Sequence, residues 1–415
     1  MHSPAPPKQA TPHPGIHFRE FVAMMAMVMA VNALGVDMML PALPAISADL
    51  GVTVENHRQW VIAIYMAGFS VMQLVYGPLA DRFGRRPILI ATIAVYAAMS
   101  LIASVAASFT LLLVARLLQG MASASTRVLS VSVVRDCYGG RTMARVMSLC
   151  TMVFLAVPIL APSLGQLVLL IAPWRGIFYA LAAFSGLVAL WVALRLPETL
   201  HPEDRRAITV ASIASAMKHT LTNRYSLGYT LCIACMFSCI MSFINSAEQV
   251  FVDVFDVEQV FPLIFAGIAG TMALAALINS RIVERYGMRK VSHSALLGML
   301  AINLVHLATI VAGHETVVTF AILQGMMMFC FNLTGSNFNA MAMEPMAHIA
   351  GTASSVQGFL STVLGVIAGF FVGQAFDGTT LPLVLGFTGA AATALVIVLI
   401  VERGRLFHGH IANRV

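Results

Sequence analysis

Apolar stretches of about twenty residues alternate with short polar turns along this chain, and the alternation recurs twelve times. The stretches fall near residues 18–40, 58–79, 87–107, 110–133, 145–169, 174–196, 226–250, 260–282, 291–312, 316–341, 349–374 and 381–402. A helix of roughly 20 apolar residues spans the hydrocarbon layer while satisfying its own backbone hydrogen bonds. The pattern therefore predicts an all-α integral membrane protein with twelve transmembrane helices. Composition agrees: 59% of the 415 residues are hydrophobic and 10% charged, against about 25% charged in a soluble domain. A water-soluble fold is excluded.

The polar positions also repeat. Asp81, Arg82, Phe83 and Gly84 recur as Glu284, Arg285, Tyr286 and Gly287 at an offset of 203 residues. Leu118 to Met121 matches Leu323 to Met326 at an offset of 205, and Gly165-Gln166 matches Gly373-Gln374 at an offset of 208. Three matches in order indicate duplication, and parallel six-helix repeats that bind substrate near the midplane are a transporter architecture. The longest polar stretch, Pro197 to Asn223, divides the helices six and six. The expected organisation is a disordered cytoplasmic lead (1–17), an N-terminal bundle (18–196), a cytoplasmic linker (197–224), a C-terminal bundle (225–403) and a cytoplasmic tail (404–415).

With both ends inside, the cytoplasmic segments hold 20 of the 24 Lys and Arg, while Arg58 and Arg175 lie outside and Arg116 and Arg127 lie within the membrane. That asymmetry fixes the orientation and accounts for the net charge of +6 without nucleic acid. A cleaved signal peptide, with Ala30 and Ala33 as small residues, would leave eleven spans and invert the basic loops, so twelve is preferred. Five of the six cysteines fall in predicted helices, and Cys232, Cys235 and Cys239 read as a packing stripe rather than a metal site. The sequence has no phosphate-binding Gly-rich loop, so the expected energy source is an ion gradient and no cofactor or metal is assigned.

The residues resemble the major facilitator superfamily, and within it the drug/proton antiporter branch of Bcr/CflA type. The resemblance rests on Gly77 to Arg86, on Arg116 to Gly120, on Asp37 to Pro44, on Pro158 to Gly165, on Pro197-Glu198-Thr199 and on Met343-Glu344-Pro345. It implies the major facilitator fold, two pseudo-symmetric six-helix bundles, in a multi-pass protein of the bacterial inner membrane. The implied activity is proton-coupled efflux of small apolar or amphipathic drugs or toxic metabolites by a monomer. Where the family has two glycines at the end of the Pro158 stretch, this chain has Gly165 followed by Gln166.

Asp37 lies near the outer end of the first helix, where an unpaired charge in hydrocarbon costs about 2.5–3.5 kcal/mol, so it should line a cavity. Arg116, about six residues into the fourth helix, reaches a similar depth. The two are expected to meet, with separation letting Asp37 take a proton. The alternatives are an interfacial carboxylate and an Arg bonded to helix carbonyls. Arg116, Gln119, Ser123 and Arg127 form one polar stripe, with Arg127 either a gate or a membrane anchor. Asn32, Tyr65, Asn245, Phe329, Asn332 and Ser336 complete the candidate substrate contacts, although interhelical hydrogen bonding is the commoner use of such amides.

By the same resemblance, Gly77, Asp81, Arg82, Gly84, Arg85 and Arg86, with Glu284, Arg285 and Gly287, form a conformational switch. Asp81 would hold the halves together in the outward-facing state, and topological duty alone would also account for the arginines. Pro158 and Pro162 would bend the fifth helix, and Gly165 would let it pack closely against proton leak. The rival readings are a proton symporter importing a polar metabolite and a lipid-modifying membrane enzyme. His201, His219, His293, His306 and His348 are too scattered for the catalytic cluster such an enzyme needs.

Overall fold

Every predicted apolar stretch is helical in the computed structural model, which describes residues 16–201, 203 and 210–407. The first half contains α1 (Phe18–Asp37), α2 (Leu43–Asp49), α3 (Trp60–Phe83), α4 (Arg85–Ser104), α5 (Phe109–Cys137), α6 (Gly140–Leu169) and α7 (Arg175–Arg195). The second contains α8 (Val210–Thr222), α9 (Arg224–Gln249), α10 (Phe261–Tyr286), α11 (Met288–Val311), α12 (Val317–Met343), α13 (Ala350–Gln374) and α14 (Leu381–Val401). Among the described residues, eleven segments are long and apolar enough to cross a membrane, and α6 adds the apolar stretch Ala156–Leu169. Pro158 and Pro162 both lie inside α6, which continues through them.

Local chemistry sets several boundaries. Ser108 accepts from the Leu111 amide to start α5, and Thr316 and Thr319 form a reciprocal cap on α12. Pro41 and Pro44 cannot continue α1, so the chain passes through a 3₁₀ turn (Leu40–Ala42) into the short α2. Asp37 is consequently the last residue of α1, where the apolar pattern alone carries the helix on to about residue 40. The polar stretch between the halves contains α8, which packs on α9 and α13, while residues 202 and 204–209 lie outside the described residues. So do most of the expected lead, 1–15, and of the tail, 408–415.

The two halves pack by one plan. α3 lies on α5 as α10 lies on α12, α4 on α7 as α11 on α14, and α1 on α6 as α9 on α13. Between the bundles α3 runs along α13 and α6 along α10. The repeated charged turn confirms the symmetry in the backbone: Gly84 has φ 103°, ψ 156° and Gly287 has φ 81°, ψ 154°. α1 and α9 are central, with 72% and 67% of their apolar windows buried in protein, against 28% in α10 and α11, whose side chains such as Leu263, Leu277 and Val311 face outward as lipid contacts require.

Candidate functional site

Arg116 is the largest fully buried side chain among the described residues, and its charge is met by oxygens and a ring. Nε donates to the Val61 carbonyl at 3.1 Å, Nη2 to the Gly35 carbonyl at 2.9 Å, and Nη1 to Gln119 Oε1 at 2.6 Å. The guanidinium carbon lies 4.2 Å from the centre of the Tyr65 ring, a cation–π contact worth about 2 kcal/mol when dry. Gln119 passes the chain of bonds to Ser100 Oγ at 2.7 Å. Asn32 Oδ1 accepts from Tyr65 at 3.0 Å and from Ser123 at 3.2 Å. Thus Arg116, Gln119, Ser123, Asn32 and Tyr65 are brought together, and they tie α1, α3, α4 and α5 into one knot.

Asp37 stands outside this knot. It is 4% exposed and its Oδ1 has no hydrogen-bond partner. The expected meeting with Arg116 is not made in this conformation. Arg116 reaches α1 at Gly35, and residues two apart on a helix point about 200° from each other, so equal depth does not bring Asp37 to the guanidinium. The link between them is the backbone: Arg116 holds the last turn of α1, whose carbonyl end carries negative partial charge, and Asp37 terminates that turn.

The remaining candidates divide. Asn245 is 3% exposed on α9, with its Oδ1 unpartnered. Arg127 is exposed two-thirds of the way along α5. On α12, Asn332 donates to the Met272 carbonyl at 3.0 Å, and Ser336 accepts from Asn279 at 3.3 Å, so both bond to α10. Phe329 packs against a small cluster of Ala275, Val291, Ala295 and Leu333 between α10, α11 and α12. The structure therefore does not gather α12's predicted ligand wall: its amides and ring are spent on neighbouring helices.

At the end of the bundles opposite the charged turns, called here the far end, the halves are locked together. Asn56 donates to the carbonyls of Gln374 and Phe376 at 3.0 and 2.9 Å, Gln374 donates to the Asn56 carbonyl at 2.8 Å, and Gln249 donates to Asn56 Oδ1 at 2.8 Å. Gln59 bonds to Gln249 and, at 2.9 Å, to the Gly373 carbonyl. Trp60 meets Phe370 with ring centres 4.9 Å apart. Arg58 forms ion pairs with Glu248, at 3.1 Å, and with Asp253. Deeper in the interface Gln73 donates to Thr362 at 2.9 Å.

Gly165 packs α6 onto the bend after α1: a Cβ there would stand 2.1 Å from the Met38 carbonyl oxygen and 3.1 Å from Pro41 Cγ. Backbone atoms cannot yield as a side chain does. Gly165→Ala is expected to lose about 1–3 kcal/mol of stability by overpacking, whereas Gly186→Ala, inside α7 with no atom within 4 Å of the added methyl, is expected to lose none. Unfolding temperatures in detergent check the contrast.

At the opposite, basic end, Gly84 turns α3 into α4 at a φ that favours glycine. Glu198 caps α4 by accepting from the amides of Arg85 at 2.9 Å and Arg86 at 3.3 Å, an anion at a helix N-terminus. Arg85 binds Asp81 and, at 3.1 Å, Asp136, while Arg86 donates to the Ala193 carbonyl at 2.7 Å. Asp81 is thus bonded within its own half in this conformation. Gly77 comes within 3.8 Å of Ser355 Oγ on α13 when a Cβ is placed on it. Arg82 and Arg285 lie over the adjacent rings of Phe83 and Tyr286, at 5.2 and 5.3 Å, and Glu284 is exposed.

The sequence pattern of the Major Facilitator Superfamily matches residues 25–370. The chain belongs to this superfamily. A facilitator from Bacillus subtilis, the uncharacterized MFS-type transporter YdgK, is 31% identical over 84% of this chain and 87% of its own. The bicyclomycin resistance protein homolog of Haemophilus influenzae is 27% identical over 91% and 94%. The multidrug resistance protein MdtL of Escherichia fergusonii is 30% identical over 58% and 60%. Among solved structures, a bacterial homolog of the human lysosomal transporter Spinster, inward-facing and unoccupied, superposes with TM-score 0.68 at 14% identity, covering 93% of this chain and 95% of that one. The human organic anion transporter MFSD10 gives TM-score 0.62 at 17% identity, over 92% and 99%.

Two features of this facilitator escaped the sequence. Glu402 follows α14 as Glu198 follows α7, at an offset of 204, and it is buried against Arg289 at 2.9 Å and the Tyr229 hydroxyl at 2.6 Å. Sequence order contained that signal. Glu248 is 1% exposed in a cross-bundle ion pair with Arg58. Arg58 was one of only two basic residues in the outer loops, and a lone cation among acids was the available clue.

Proposed function

We propose that this facilitator exports small, apolar or amphipathic compounds across the bacterial inner membrane in exchange for protons, as a monomer with both termini cytoplasmic. The far end is then the outer end, and bundles 18–196 and 225–403 rock about the central site. The observation that carries the reading is Asp37, a buried carboxyl with an unpartnered oxygen at the end of a central helix. Desolvation favours the neutral form of a carboxyl and hydration the ionised form, so a carboxyl that alternates between the two environments loads and unloads a proton. Arg116 acts as a positioning residue, fixing the turn that ends in Asp37 through the Gly35 carbonyl. The relatives named for drug resistance support export, and the locked outer end leaves this conformation suited to loading from the cytoplasm.

Inverted vesicles that have stored protons test direction and coupling together. Adding an amphipathic substrate should release the protons by exchange. A symporter would not release them, and a rise in stored protons on substrate addition would overturn the proposal.

A further inference from the structure

We propose that Glu248 is a second proton-binding carboxyl, and that its ion pair with Arg58 is the latch of the outer gate. The assignment of the far end as the proton-supplying side rests on the exchange reading above; the geometry of the latch does not. Arg58 belongs to the N-terminal half and touches two acids of the other half. α9 widens at its end into a π-turn, Val250–Val254, closed by the Phe255 amide on the Val250 carbonyl at 3.2 Å. The wider turn carries residues five apart toward one side, and so Asp253 as well as Glu248 reaches the one guanidinium.

The two acids are not equivalent. The Asp253 side chain is 34% exposed and stays hydrated whether or not the gate is closed. Glu248 is 1% exposed, and its Oε1 has no hydrogen-bond partner. The amide belt of Asn56, Gln59, Gln249 and Gln374 joins the segments that carry the pair, so moving the bundles apart must draw Arg58 away from Glu248. An ionised Glu248 attracts the guanidinium of the other bundle and a neutral one does not, so protonation removes the attraction that holds the pair closed. Taking one proton from the outer solution neutralises Glu248 and breaks the ion pair, and as the bundles part Arg58 also leaves the hydrated Asp253. No covalent bond other than that to the proton is made or broken. The gate thereby opens when the outer side is acidic, which is when a proton is available for Asp37. Facing Glu248 are Arg58, Asp253 and, beyond the π-turn, Glu258. His57, edge-on to Trp60 at 6.3 Å, also lies at the gate.

The test uses the full chain with Asn245→Cys, a position 3% exposed on α9 one turn deeper than Glu248. It reads labelling by a membrane-impermeant maleimide added on the outer side, without substrate, corrected for the background of the native chain and expressed at each pH relative to the reagent's rate with a free thiol. Labelling should rise about tenfold as the outer solution is acidified. In Glu248→Gln it should be high and independent of pH. Arg58→Gln, which releases the latch from the other bundle, should behave the same way and decides the matter if the first variant folds poorly. Asp253→Asn and His57→Gln should keep the pH response. The proposal is overturned if both latch variants label at the low rate of the parent, or if the response survives in Glu248→Gln and disappears in Asp253→Asn or His57→Gln. Labelling needs no transport, so failure of the vesicle test above and failure of this one are separate results.

Discussion

Asp37→Asn is expected to abolish uphill export while sparing exchange of substrate for substrate. One proton moving through 100 mV supplies about 2.3 kcal/mol, enough to hold a substrate gradient of roughly fiftyfold. The Asn side chain keeps the shape of Asp37 and carries no exchangeable charge, so the bundles can still alternate and the gradient has nothing to drive. In proteoliposomes with an imposed pH gradient, accumulation should fall from tens-fold to unity and counterflow should continue. A variant that accumulates as well as the parent would remove Asp37 from the coupling step.

The second large effect belongs to Arg116. Its three directed hydrogen bonds diverge to Val61, Gly35 and Gln119, and its face lies on Tyr65. Arg116→Ala leaves Gln119 Oε1 buried without its donor and opens a void among four helices. Hydrogen bonds to a charged group contribute about 1.5–3 kcal/mol each, and part of that gain offsets desolvation, so the expected loss is about 3 kcal/mol. Arg116→Lys keeps the charge but cannot serve three diverging acceptors, because an ammonium is a compact point and not a planar fork. It should fold with a smaller loss of stability and still transport poorly, since the last turn of α1 is no longer held. Thermal unfolding in detergent, together with transport assays, separates the two variants. Equal transport by Arg116→Lys and the parent would contradict the positioning role.

The fold was legible because a bilayer imposes one requirement, apolar helices of fixed length, and because duplication wrote the plan twice. Breaks came where local chemistry competes with that requirement. Pro41 and Pro44 end α1 earlier than hydropathy does, which puts Asp37 at the helix terminus and not three residues before it. The site was legible in its residue types and depth. Its azimuth was not: Asp37 and Arg116 share a level, but the guanidinium approaches α1 on the Gly35 side. On α12, Phe329 and Asn332 fall on a plausible stripe, yet which neighbour a stripe faces depends on helix rotation, and here the neighbour is α10 and not a cavity. The duplication also hides asymmetry. Ser100 and Gln119 recur as the buried Asn303 and Gln324, at offsets of 203 and 205, but Ala321 stands where Arg116 would recur, so only the first half has the guanidinium knot.

The most direct measurement is proton release from the purified protein in weakly buffered detergent on addition of substrate. If one carboxyl at the end of α1 gives up its proton to cargo, the native chain acidifies the medium by about one proton per substrate bound at the pH where that carboxyl is protonated. Asp37→Asn should bind the substrate and release none. Equal release from both proteins would contradict the account, because the exchanged proton would then reside elsewhere.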